Sequence, residues 1–371
     1  MDCLESKKFS KYGNSTRHFF CFLWEDFTPF AVYGLYENGI YVAIICILIN
    51  IFHIIVISQK SMSTSPIYIL LAAIAVMDIC SLLYDVHFEI VNFFKATNIC
   101  YSKNTDYFIL VTKAIMESIR YFTRRCSTWL SLSIALIRTV VIKYPMNRTI
   151  EKLSKPVSAI YFIIAVLLLC APLHILDFYK FDIDVADENY LCKQFPSSNF
   201  IYYAINLSMK FQNKDHRLFK IYRTIDALLS KFIPCILFPI VTLILILEIR
   251  KAEIRRQKLE SSSSSSTSKN SKNTSRLVLS LTLPFFIAEL PLGIIFWLSQ
   301  LDTINKNNEL FYIFDGFEKL FSFILSATTA THMIICVFMS SQYRETALIV
   351  ARFGHHFKKK EGTVVQVTLS S

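Results

Sequence analysis

Glycine and proline are scarce, at seven and ten of 371 residues, while 53% of the chain is apolar and phenylalanine and tyrosine number 32 and 18. That balance excludes an ordinary water-soluble globule. Met1 to Ser10 is polar, and no apolar h-region with a small-residue cleavage site precedes the first long apolar run. No signal peptide is therefore expected, and the first helix serves as its own insertion signal. Neither a His-x-x-x-His spacing nor a nucleophile elbow occurs, and His53, His87, His174 and His332 stand as singletons. These absences argue against an enzyme, a metal site or a cofactor. No duplicated halves are evident, which counts against the repeat architecture common in transporters.

Apolar runs lie near 37–58, 67–94, 108–142, 157–177, 223–249, 277–300 and 311–339. Each is about 20 residues or more, enough to cross a hydrocarbon core of about 30 Å. They predict an all-α seven-transmembrane helix bundle over 37–340, with 1–36 as an extracellular N-terminal segment and 341–371 as an interfacial helix and cytoplasmic tail. Orientation follows from the basic connections. Lys143, Arg148, Lys152 and Lys155 follow the third span, Arg250 to Arg276 supply eight more cations after the fifth, and Arg344, Arg352 and Lys358 to Lys360 follow the seventh. Positive residues near span ends stay cytoplasmic, so the N-terminus lies outside. The net charge of +11 thus reads as topology. Such short juxtamembrane strips touch anionic membrane lipid, and nucleic acid is not an expected partner.

Asn14-Ser15-Thr16 and Asn206-Leu207-Ser208 are glycosylation sequons in outer segments. Residues 259–275 have almost no apolar content and predict a flexible cytoplasmic loop. From Ser341 to Phe353, Tyr343, Ala347, Val350 and Ala351 recur at helical spacing opposite Arg344 and Arg352, the pattern of a short helix on the inner leaflet. Of ten cysteines, Cys46, Cys80, Cys126, Cys170, Cys235 and Cys336 fall inside spans as small buried residues, leaving Cys3, Cys21, Cys100 and Cys192 on the oxidising side.

Charges inside the spans are the most informative residues, because they are expensive there. Asp78, Asp85 and Glu89 share one face of the second span, and Glu117, Arg120, Arg124, Ser127 and Arg138 share one face of the third. Arg125 is one step off that stripe and needs another partner or must snorkel. Asp226 and Glu289 add charges to the fifth and sixth spans, beside the kinking prolines Pro234 and Pro291. One reading is ion pairs that only knit the bundle together. The other is a water-filled outer cavity for ligand.

Seven spans, Asn50, Asp78, Arg138 seven residues before Pro145, and prolines in spans five and six resemble a rhodopsin-like G-protein-coupled receptor. More narrowly, the stretch Arg124 to Leu130 with Ala135 to Thr139, then Ala288-Glu289-Leu290-Pro291, Thr328 to His332 and Phe338 to Arg344, resembles the nematode serpentine chemoreceptors of the Srw class. That class is itself similar to receptors for FMRFamide-like neuropeptides. The resemblance implies a multi-pass plasma-membrane receptor whose partners are a heterotrimeric G protein and an extracellular peptide or small-molecule ligand. It places G-protein coupling at Arg138, Thr139 and Pro145, with Ile137 and Thr139 standing where the family's Asp and Tyr flank the arginine. It matches Asn50, Asp78 and Ser127 to a sodium pocket, although His332 to Cys336 replaces the usual Asn-Pro-x-x-Tyr. Glu289 takes a position usually held by tryptophan and faces that of Arg124, so a buried Arg124–Glu289 switch pair is expected. Cys100 and Cys192 resemble the family's bridge to the third span, while Cys3 and Cys21 either pair or stay free.

Asp85, Glu89, Glu117 and Asp226 would make the pocket mouth acidic around Arg120, favouring a ligand with a guanidinium or amine, such as an amidated peptide ending in Arg-Phe. Environmental cues remain open. The competing class is an ion channel or transporter that uses the same intramembrane charges.

Overall fold

The computed structural model describes residues 3, 9–36, 38–96, 102–144, 147–185, 203–259, 287–295, 297–298 and 308–352. Five helices among them are long and apolar enough to cross a membrane. These are the first span Gly39–Ile57, the second Pro66–Phe94, the third Lys103–Lys143, the fourth Pro156–Tyr179 and the fifth Arg217–Ala252. The seventh span is a pair of helices, Asn308–Thr328 and Thr331–Met339, that meet at a bend of 40°. The sixth apolar segment is helical wherever it is described, over 287–295 and 297–298.

Local chemistry sets the ends and breaks. Ser102 caps the third span, its hydroxyl accepting from the Thr105 amide at 3.3 Å, and Pro156 opens the fourth, where its missing N–H costs nothing. In the seventh span Thr328, Thr329 and Thr331 turn their hydroxyls back onto carbonyls of Leu325, Ser326 and Thr328 at 2.6–2.8 Å. Such back-bonding loosens the helical ladder and accounts for the bend. In the fifth span one widened π turn, Leu228–Phe232, separates Met209–Ala227 from Ile233–Leu259. It sits directly before Pro234, which has no N–H for the regular ladder, and π turns of this kind gather at functional positions.

The third span lies at the centre, packed on the second, fourth and fifth. Its inner half closes a dry core in which Leu70, Ile74, Leu130, Ile134 and Phe238 are buried. After the seventh span, Ser340 caps the short helix Ser341–Ala351, accepting from the Tyr343 amide at 3.1 Å. Tyr343 is fully buried, its hydroxyl 2.7 Å from His53 Nδ1 of the first span, so this interfacial helix is docked onto the bundle.

Two regions carry structure beyond the expected spans. In the outer loop β1 (Phe181–Val185) pairs antiparallel with β2 (Tyr203–Leu207), Asp182 opposite Asn206. The N-terminal segment is helical from Asn14 to Phe22 and continues through wide turns Leu23–Phe27 and Phe30–Tyr36. It packs on the outer half of the seventh span, with Trp24 against Tyr312 at 4.6 Å and Phe27 against Phe317 at 4.4 Å between ring centroids. Gly316 permits the close approach, since a Cβ there would lie 3.0 Å from the Thr28 side chain. A Cys3–Cys21 disulfide closes the segment.

Candidate functional site

The third span brings three arginines within about a turn and a half and sends each to a different kind of partner. Arg120 Nη2 meets Asp85 Oδ1 at 3.2 Å and donates to Ser322 Oγ at 3.0 Å, with its guanidinium 4.7 Å from the Tyr84 ring. Arg125 is 4% exposed and spans two carboxylates, Asp177 of the fourth span and Asp226 of the fifth, the latter at 2.8 Å. Asp177 also accepts from Tyr222 and, at 3.2 Å, from Lys180, while Asp226 accepts from Ser230 at 2.5 Å. Arg124 has hydroxyls only. Its Nε donates to Ser81 at 3.0 Å, Nη1 to Ser322 at 3.2 Å and Nη2 to Ser326 at 3.1 Å, which ties the third span to the second and seventh.

The expected Arg124–Glu289 ion pair is not the contact that forms. Glu289 is 1% exposed and pairs with Lys231 from the widened turn of the fifth span. A buried carboxylate takes the nearest cation able to reach it. Gly293, one turn beyond Glu289, clears the path, because a Cβ there would lie 3.0 Å from the Lys231 Cβ. Arg124 and Glu289 do line one small cavity together, of about 40 Å³. Sequence reading passed over Lys231 and Asp177, although both were visible as single charges within or at the end of apolar runs.

The other expected site residues are distributed as follows. Glu117, Arg120 and Asp226 line a common cavity of 190 Å³, together with Arg124, Lys231 and Glu318. Asp85 and Glu89 line a separate 20 Å³ cavity on the other side of Arg120. Ser127 donates to Asp78 Oδ1 at 2.8 Å, and His332 Nδ1 stands 3.6 Å from Oδ2, which has no hydrogen-bond partner among the described residues. Asn50 instead donates to Cys46 O of its own helix at 2.9 Å and does not line the cavity beside Asp78. Of the three expected sodium-pocket residues, Asp78 and Ser127 are in direct contact, and the Asn50 Oδ1 is buried without a hydrogen-bond partner among the described residues.

Toward the inner end, Arg138 Nε is buried without a hydrogen-bond partner among the described residues. The Thr139 hydroxyl is turned back to Ala135 O at 2.8 Å. Pro145, Cys100 and Cys192 lie outside the described residues. The sequon asparagines Asn14 and Asn206 are both exposed.

A membrane-crossing helical bundle with a charge-lined outer cavity fits the class that the motifs resembled. Among curated proteins none matches the chain. The family model described as serpentine type 7TM GPCR chemoreceptor Srw matches residues 37–354, most of the chain. That family is not an enzyme family, and its members are multi-pass proteins of the plasma membrane that act through an extracellular ligand and a G protein. The chain belongs to the serpentine seven-transmembrane chemoreceptors of the Srw family.

Proposed function

We propose that this receptor takes an extracellular ligand, a neuropeptide or an environmental chemical cue, into the 190 Å³ cavity and transmits its binding to a heterotrimeric G protein around Arg138 and Thr139. The observation that carries this reading is the cavity itself: residues from the second, third, fifth, sixth and seventh spans converge there, many of them ionisable, above an apolar inner core. Ionisable groups inside a membrane are by default functional candidates.

Arg124 supplies a route inward, since it touches the cavity and also ties the third span to Ser81, Ser322 and Ser326. A ligand that favours a different set of Arg124 bonds shifts the bundle between two packings by its differential affinity for them. At the inner end no carboxylate flanks Arg138, because Ile137 and Thr139 are its neighbours.

Calcium release in cells that express the full chain with a promiscuous Gα subunit, challenged with peptides and small molecules, tests this. A ligand-specific response that Arg138→Ala abolishes at equal surface expression is the expected result. A response that Arg138→Ala leaves intact, or a ligand-evoked membrane current without G protein, contradicts it.

A further inference from the structure

The charges around the cavity do not cancel evenly. Asp85 is occupied by Arg120, Asp226 by Arg125 and Ser230, and Glu289 by Lys231. Lys319, also on the wall, has a partner of its own. Two carboxylates and one cation are left over. Glu117 and Glu318 flank Tyr121 and form no ion pair or hydrogen bond among the described residues. Arg124 forms no ion pair among the described residues: its hydrogen bonds go to three neutral hydroxyls, and Asp85 and Glu289 act on it only from a distance. Of its five N–H donors those bonds use three, leaving one on each of Nη1 and Nη2 to donate to an anion.

We infer, resting on the reading of this cavity as the ligand site, that the ligand is amphoteric, with a cationic group held between Glu117 and Glu318 and an anionic group on Arg124. The spacing follows from helix geometry. Glu318 lies one turn above Ser322, which contacts Arg124, and Glu117 lies two turns above Arg124 on its own helix, which sets the two charges about 6–10 Å apart. A ligand with only a cation leaves the guanidinium without a directly bonded countercharge, and one with only an anion meets two carboxylates. Selection of this kind works as much by exclusion as by attraction. A cavity of 190 Å³ is somewhat larger than the ~150 Å³ that takes benzene and smaller than the ~300 Å³ at which drug-sized pockets begin. A free cationic amino acid fits, and so does the last residue of a peptide with a free terminal carboxylate. The amidated Arg-Phe terminus expected from the acidic mouth lacks the anion.

The test is thermal unfolding of the full-length receptor, purified in detergent, titrated with arginine, with agmatine (no carboxylate), with pentanoate (no cation), and with acetyl-Phe-Arg as free acid and as amide. Arginine or the dipeptide acid is expected to raise the melting temperature. Agmatine, pentanoate and the amide should bind at least about 30-fold more weakly, the lower end of the cost of removing one member of a buried charge pair. A rise with arginine alone assigns a free amino acid, and one with the dipeptide acid assigns a peptide terminus. Arg124→Gln should erase the preference for acid over amide, and Glu117→Gln with Glu318→Gln the preference for arginine over pentanoate. If Arg124→Gln does not fold, Arg124→Lys, which keeps a positive charge, should retain part of the acid preference. Equal binding of arginine and agmatine, or no shift with any probe, overturns the inference. Because the readout is binding, a receptor that binds amphoteric probes yet is silent toward G protein sinks the proposed coupling and not this inference.

Discussion

Arg124 and Arg125 are neighbours on one helix and live in opposite surroundings. Arg125 is held between Asp177 and Asp226, with Tyr222, Lys180 and Ser230 completing the shell. It rivets the third span to the fourth and fifth. Arg124 is held by three serines of the second and seventh spans; both arginines line the 190 Å³ cavity, and Arg124 also borders the smaller one beneath it. One residue of offset, about 100° around the helix, turns a structural charge into an available one. Charge inside a membrane therefore marks function only where its compensation is incomplete.

The largest effect should come from breaking the rivet. Asp177→Ala leaves Arg125 and Lys180 short of a carboxylate in a buried site, and removing one partner of a buried pair costs about 3–5 kcal/mol. Surface expression and melting temperature should both fall steeply. An Asp177→Ala receptor as stable as the native one would erase the distinction between the two arginines.

A smaller effect should sharpen it. Lys231→Met strands the buried Glu289 and should destabilise the bundle, whereas Lys231→Met with Glu289→Leu removes both charges and should recover most of the loss, since a buried pair replaced by apolar residues is often neutral. A double variant as damaged as the single one would show that the pair does more than compensate itself.

The fold was legible because its signal is long and repetitive: apolar runs of about 20 residues and basic connections need no tertiary information. The arginine stripe was legible for the same reason, as spacings of three and four define a face. Partner choice was not legible. It depends on helix rotation and on which side chain has room to reach, and Lys231 reaches Glu289 only because Gly293 has no side chain. Nor did the outer hairpin announce itself, since strands of five residues carry too little pattern to outweigh their helical context. In the N-terminal segment a signal was present but weak: Phe20, Trp24 and Phe27 recur at intervals of four and three, and the polar residues between them concealed the helix.

The most direct measurement is a side-by-side comparison of Arg124→Gln and Arg125→Gln in the full chain, reading surface expression and melting temperature. Arg125→Gln should lose most of both, because two buried carboxylates lose their shared cation. Arg124→Gln should keep both near native levels, because an amide still bonds to serine hydroxyls and no carboxylate is left unpaired. Equal loss in the two variants would contradict the account, since Arg124 would then be as structural as its neighbour.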